Sequence, residues 1–283
     1  RSGGDRTQLI SAPQLISAPQ LISAPRCPSA RSVKVGGVLG LPDGITALLF
    51  DLDGVLTQTA KVHAEAWKQT FDEFLRARSQ RTGEPFKEFD KHDDYDSYVD
   101  GLPRYDGVRN FLKSRGIELP AGTPDDPPDA QTIDGVGNRK NVLVLKLIKD
   151  QGVDAYPGSV TYVKAARDAG LRRAVVSSSA NCKEVLKVAG IDDLFEARID
   201  GNTIDEEHLK GKPAPDTFLA GAKALGVEPK QAAVFEDALA GVEAGHAGHF
   251  GYVVGVDRVG QADALHEHGA DTVVQDLDEL LHR

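Results

Sequence analysis

An α/β fold, with a doubly wound, Rossmann-like parallel-sheet core and an inserted α-helical cap domain, is predicted by three features of the sequence. Short apolar runs bounded by turn residues recur along the chain, helical periodicity fills most intervals between them, and one long interval near the front breaks the alternation. The first run, Ile-Thr-Ala-Leu-Leu-Phe over 45–50, ends on Asp51-Leu52-Asp53-Gly54 and reads as a buried strand with two carboxylates at its C-terminal edge. Further strands are predicted around 173–177, 232–235, 252–256 and 272–274, with helices between them, which is the alternation that makes a parallel sheet. In such sheets ligands gather beyond the C-terminal strand ends, so polar residues at those ends carry functional weight.

The interrupting interval supplies the cap. Helical patterns near 62–78, 107–115 and 139–151 surround polar loops, and the proline-, glycine- and aspartate-rich stretch 119–128 reads as a surface loop. The predicted division is therefore a first core segment over 44–60, a cap over 61–151 and a second core segment over 152–283. Residues 1–43 read as a flexible tail. It repeats Gln-Leu-Ile-Ser-Ala-Pro three times between Gln8 and Pro25, with a proline every sixth residue to interrupt a helix, and has no continuous apolar stretch resembling a signal peptide.

Composition narrows the function. The 283 residues carry a formal net charge of -10, which repels nucleic acid and anionic membrane surfaces, so neither is an expected partner and an anionic ligand needs a locally positive pocket. No apolar run approaches the ~20 residues that span a bilayer. Cys27 and Cys182 suggest neither a disulfide framework nor a thiolate metal site, and a reducing cytoplasm is expected. The pairs His246 and His249, and His266 and His268, lack further zinc ligands; Gly36-Gly37 and Gly135-x-Gly137 do not make a dinucleotide fingerprint. The acidic run 90–100 does not match a calcium loop and reads as a solvated acidic face.

Asp51 and Asp53 stand two apart at a strand end, where one carboxylate can attack phosphorus while the other exchanges a proton with the entering or leaving alcohol. A lone Asp-x-Asp is common on surfaces; the apolar strand before it and the partners after it turn the reading toward catalysis.

Those partners carry a resemblance. Phe50-Asp51-Leu52-Asp53-Gly54-Val55-Leu56-Thr57, then Ser177 after Ala174-Val175-Val176, Lys212 in Gly211-Lys212-Pro213, and Glu236-Asp237 after Phe235 match in order the four motifs of the haloacid dehalogenase superfamily. The resemblance implies that Asp51 is a phosphate-accepting nucleophile and Asp53 an acid/base. It also implies that Ser177 and Lys212 bind phosphate, and that magnesium is held by Asp51, Glu236, Asp237 and the Asp53 carbonyl. Aspartate two residues after the nucleophile implies phosphate-ester chemistry, since dehalogenases and phosphonoacetaldehyde hydrolases of the superfamily lack it there.

The cap resembles, more narrowly, the beta-phosphoglucomutase family, through Thr59-Ala60-Lys61-Val62-His63-Ala64-Glu65-Ala66-Trp67, Val99-Asp100-Gly101-Leu102-Pro103-Arg104 and Arg139-Lys140-Asn141. By that resemblance His63, Trp67, Arg104, Lys140, Ser179 and Asn181 bind substrate, with Arg104 gripping the phosphate that is not being transferred. The expected partner is a small phosphorylated sugar, with no obligate protein partner. The implied reaction interconverts beta-glucose 1-phosphate and glucose 6-phosphate, with beta-glucose 1,6-bisphosphate as primer and intermediate. A sugar-phosphate phosphatase built on the same phosphoaspartate is the alternative, and an inactive sugar-phosphate-binding regulator a remote one. Asp100 and Ala180 stand where well-known members have lysine, and the segment between Arg104 and Arg139 is expanded.

Overall fold

The computed structural model describes residues 39–282. Its centre is a six-stranded, wholly parallel sheet: β1 (Ala47–Phe50), β2 (Arg172–Val176), β3 (Ala197–Ile199), β4 (Ala232–Glu236), β5 (Tyr252–Val256) and β6 (Thr272–Val274), in the order β3-β2-β1-β4-β5-β6. The interior strands are apolar because both faces are covered; β1 and β4 are buried along their whole length. The sequence anticipates five of these strands. The sixth, β3, is three residues long with an exposed arginine at its centre, so it has no apolar run to betray it.

The topology decides where a site can form. From β1 the chain fills one side of the sheet with β2 and β3, then crosses to β4 on the other side, so β1 and β4 flank the switch point where a crevice opens at the C-terminal edge. Register completes the placement. Phe50 is level with Val175 on one side and Phe235 on the other. Asp51 therefore follows at the level of Val176 and Glu236, with Ser177 and Asp237 one residue further out.

Between β1 and β2 lie α1 (Ala60–Thr82), α2 (Asp93–Tyr98), α3 (Arg104–Ser114) and α4 (Ile133–Gln151), followed by α5 (Pro157–Asp168) against the sheet. α1 buries Ala66, Trp67, Thr70, Phe71, Phe74 and Leu75, a stripe at helical spacing, and stops at Gly83, whose left-handed φ of 77° suits glycine. That stripe meets Phe89, Phe111 and Val136 in an apolar cluster of its own: Trp67 stacks on Phe71 at 4.9 Å, and Phe71 meets Phe111 at 4.1 Å. Each aromatic buried there contributes about 1.5–3 kcal/mol. α4 begins six residues before the predicted 139, because Thr132 caps it by accepting from the Gly135 amide. The remaining helices, α6 (Cys182–Val188), α7 (Gly201–Glu207), α8 (Asp216–Leu225), α9 (Leu239–Ala247) and α10 (Ala262–Glu267), connect the later strands.

Two expectations need correction. Leu39 and Leu41, assigned to the tail, are buried in the sheet's core, where the Leu39 carbonyl accepts a hydrogen bond from the Tyr162 hydroxyl at 3.0 Å. The earlier residues of that segment, with the repeats and Cys27, lie outside the described residues. The acidic run 90–100 is not simply a solvated face. Asp90 accepts from the His92 and Asp93 amides at the start of α2, Asp94 pairs with Arg115 at 2.5 Å, and Asp100 lines an interior pocket.

Candidate active site

β1 delivers Asp51 to the crevice as the ladder ends, its amide donating to the Phe235 carbonyl at 2.9 Å. The chain then turns so that the Asp53 amide donates to Asp51 Oδ2 at 2.9 Å, tying the two acids into one small loop. Gly54 makes the turn possible twice over. Its φ is 89°, and a Cβ there would overlap the Asp237 carboxylate.

Lys212 comes from the segment before α8 and lies fully buried under Asp51. Its ammonium donates to Asp51 Oδ1 and Glu236 Oε1, both at 2.5 Å, and to the Val176 carbonyl at 3.3 Å. Three acceptors match its three N–H bonds, so its orientation is fully fixed. Burial opposes its charge, but Asp51 and Glu236 outweigh burial and raise its pKa. Burial raises Asp51 beyond what Lys212 offsets. It also pushes Glu236 up to about 8, and raises Asp237 with help from Asp100 and Glu236.

Asp51, Glu236 and Asp237 each place a carboxylate oxygen within 4.8 Å of the others, all buried. An oxygen-only set of this kind suits a hard divalent cation, and such an ion would favour the charged forms that burial first, and then the neighbouring acids, disfavour in all three. The Asp53 side chain is not in that group. It is turned instead toward Thr59, whose hydroxyl donates to Asp53 Oδ1 and lies 2.7 Å from the Thr57 hydroxyl. Thr59 is the N-cap of α1 but makes no cap bond; its hydroxyl is committed to the acid.

Opposite the sheet edge stand residues of α1, α3 and α4. Lys140 Nζ is 2.9 Å from His63 Nδ1 and 4.7 Å from the Trp67 ring, while His63 Nε2 faces Asp53 Oδ1 at 3.6 Å. Burial, then Lys140, holds His63 well below its usual pKa; burial lowers Lys140 to about 7 against the pull of Asp53. With Nδ1 accepting from the ammonium, the neutral imidazole carries its proton on Nε2, facing Asp53. Arg104 opens α3, its guanidinium bonded to the Tyr105 hydroxyl at 3.0 Å. On the sheet side, the Ser178 hydroxyl donates to the Gly101 carbonyl and Asn181 Nδ2 to Asn141 Oδ1, each at 2.8 Å, so the helical layer and the strand ends enclose one space.

Of the twelve site residues read from the sequence, ten line that pocket: Asp51, Asp53, His63, Trp67, Arg104, Lys140, Ser177, Ser179, Asn181 and Asp237. Lys212 and Glu236 lie beneath it, Lys212 bonded to both Asp51 and Glu236 as described. Sequence reasoning gave no site role to Tyr95, which also lines the pocket, beside Asp100. Nor did it single out Arg258, which braces the turn by donating to the Gly54 carbonyl at 2.8 Å. Tyr95 is masked by its polar neighbours, and Arg258 lies 204 residues from its partner, so neither has a local signal.

Residues 45–249 match the family model of the haloacid dehalogenase-like hydrolases. The chain belongs to that family. Within it, this haloacid dehalogenase-like protein falls in the beta-phosphoglucomutase branch. It is 57% identical over 247 residues to a beta-phosphoglucomutase of Mycobacterium tuberculosis, an alignment covering 86% of this chain and 94% of the relative. A Bacillus subtilis beta-phosphoglucomutase is 32% identical, over 83% of this chain and 91% of that one. Among solved structures, a beta-phosphoglucomutase from Clostridium difficile superposes with a TM-score of 0.66 at 25% identity, covering 83% of this chain and 93% of the other. Among the described residues, no helix is long and apolar enough to cross a membrane.

Proposed function

We propose that this chain is a beta-phosphoglucomutase, interconverting beta-glucose 1-phosphate and glucose 6-phosphate through a phosphorylated Asp51 and a beta-glucose 1,6-bisphosphate intermediate. The observation that carries the reading is the meeting, in one pocket, of the Asp51–Asp53 pair with cap-side cations: Arg104 and Lys140 stand across from the nucleophile, where a second phosphate and a sugar need recognition. Identity of 57% to mutases along most of the chain supports the same conclusion.

In this reading an Asp51 oxygen holds the phosphoryl group. The sugar's 6-hydroxyl attacks phosphorus, the bond from phosphorus to the Asp51 oxygen breaks, and the hydroxyl proton passes to Asp53. The bisphosphate then turns over, the C1 phosphate bond to the sugar oxygen breaks as Asp51 attacks, and Asp53 returns the proton to the departing oxygen. Lys212 neutralises charge on Asp51 throughout, and Ser177 donates to a phosphoryl oxygen. A magnesium ion held by Asp51, Glu236, Asp237 and the Asp53 carbonyl would reduce the repulsion between Asp51 and phosphate. Ser179 and Asn181 on the sheet side and His63, Trp67, Arg104 and Lys140 on the cap side bind the substrate, and the enclosure keeps water from the phosphoaspartate. The division into a core over 44–60 and 152–283 and a cap over 61–151 supplies the two faces. A reducing cytoplasm, expected from the cysteine usage, is the location that fits this reading.

The experiment that tests this follows glucose 6-phosphate and inorganic phosphate in parallel, from beta-glucose 1-phosphate with magnesium and a trace of glucose 1,6-bisphosphate. Rapid glucose 6-phosphate with little free phosphate is expected. Stoichiometric phosphate release instead would assign the chain to the phosphatases.

A further inference from the structure

Behind Arg104 a line of hydrogen bonds runs through two side chains into the loop before α4. The Tyr105 hydroxyl accepts from Arg104 Nη2 at 3.0 Å and donates to Asn138 Oδ1 at 2.9 Å. Asn138 Nδ2 in turn donates to the carbonyls of Pro124 and Asp126, at 3.0 and 2.9 Å. Carbonyls only accept, so they fix which way the Asn138 amide points: nitrogen to the loop, oxygen to Tyr105. The tyrosine proton is thereby committed to Asn138, and its lone pair is left for Arg104.

Packing enforces the same arrangement. The Arg104 guanidinium lies 4.8 Å from the centre of the Tyr105 ring, and α4 gives way beside it at Gly137, where a Cβ would come within 2.7 Å of Tyr105 Cδ1 and 3.3 Å of Arg104 Cγ. The loop is itself pinned: the Asp126 carboxylate accepts from the Thr123 and Thr132 hydroxyls, and Thr132 caps α4. Arg104 Nε is buried with no partner, so the guanidinium is gripped at one nitrogen and keeps a donor for a ligand.

We propose that Tyr105 and Asn138, backed by the Pro124 and Asp126 carbonyls, form a strut that aims Arg104 at the distal phosphate of the sugar substrate. The expanded segment between Arg104 and Arg139 then has a role, since it supplies the anchor. Tyr105 and Asn138 are positioning residues, and the proposal rests on the mutase reading of Arg104.

The test compares KM and kcat for beta-glucose 1-phosphate, under bisphosphate priming, with hydrolysis of p-nitrophenyl phosphate, which has no second phosphate. Tyr105→Phe keeps the ring and removes the link. It is expected to raise KM about tenfold with kcat nearly unchanged, to spare p-nitrophenyl phosphate hydrolysis and the melting temperature, and to add nothing in an Arg104→Ala background. Asn138→Leu is expected to repeat the pattern. An unchanged KM in Tyr105→Phe, or an effect that adds in full to that of Arg104→Ala, overturns the strut while leaving the mutase reading intact. If Arg104→Ala depresses both substrates equally, the distal-phosphate assignment fails and takes the strut with it.

Discussion

Asp51 and Asp53 differ in what surrounds them, and in the proposed mechanism that difference divides their chemistry. Asp51 is held on both oxygens, by the Lys212 ammonium and the Asp53 amide, so it presents a fixed, partly neutralised carboxylate. Asp53 is held by the Thr59 hydroxyl, and burial raises its pKa, which favours the protonated form that a general acid needs. Asp51→Asn is therefore expected to abolish phosphoenzyme formation, read as the loss of the phosphoprotein by intact-mass spectrometry after incubation with acetyl phosphate. Phosphoprotein retained in that variant would remove Asp51 from the nucleophile's role. Asp53→Ala should behave differently, keeping the phosphoprotein while slowing its transfer to the sugar by about 10²–10⁴-fold, the usual reach of general acid–base catalysis. Rapid-quench measurement of transfer checks this, and equal rates in the variant and wild type would rule the role out.

Elements bring these residues together, and their ends do the positioning. Gly54 in the turn after β1 and Gly241 in the first turn of α9 each leave the space a carboxylate occupies, Asp237 in the first case and Glu236 in the second. Gly54→Ala is expected to weaken magnesium binding at least tenfold, by displacing Asp237 from the acidic group and by straining a φ of 89°. Titration calorimetry with magnesium decides it; an unchanged affinity would show that the turn does not shape the metal site. How far such ends can be read from sequence depends on locality. β1 and its Asp-x-Asp were legible because an apolar run ends directly on the acids, and α1 because its buried stripe repeats at helical spacing. The start of α4 was obscured by Gly135 and Gly137, poor helix formers whose reasons are tertiary: one packs against Ala130, the other against Tyr105. α2 buries none of its own residues, so no periodic signal marked it. The motif residues Lys212 and Glu236 were legible by resemblance, yet the bridge that the Lys212 ammonium makes between Glu236 and Asp51, the latter 161 residues away in sequence, appears only when β1 and β4 stand side by side.

At the scale of the whole molecule, the active site is a concentration of unlike costs. Asp51, Asp53, Asp100, Glu236 and Asp237 converge on a space where the nearby cations are Lys212, Lys140 and Arg104, and every one of those five acids has its pKa raised. Asp100 is the clearest instance: burial first, then Asp96, Asp51 and Asp53, lift it from 3.8 to about 7, while Tyr95 holds it down. A group raised on folding contributes stability that is complete below its unfolded pKa and lost as pH rises through its folded one. For Asp100 that window runs from 3.8 to about 7, and for Glu236 from 4.5 to about 8. Lys140, lowered from 10.5 to about 7, works the other way, favouring the fold as pH rises above that value. The metal-free protein should thus lose stability between these acids' unfolded values and pH 7, a fall that His63, held well below its usual 6.5, opposes up to that value and Lys140 softens above pH 7. Asp100→Asn removes one titrating group, so it should flatten the decline over that window and raise the melting temperature at pH 7. Magnesium should restore stability by about 2.7 kcal/mol at a hundredfold excess over its dissociation constant, with a larger shift at pH 8 than at pH 5, because protonated carboxylates do not bind metal. Thermal melts of both proteins across this range, with and without the ion, test the account. A metal-free melting temperature that stays level or climbs from pH 5 to 7 would mean that the crowding of acids at the strand ends carries no net cost.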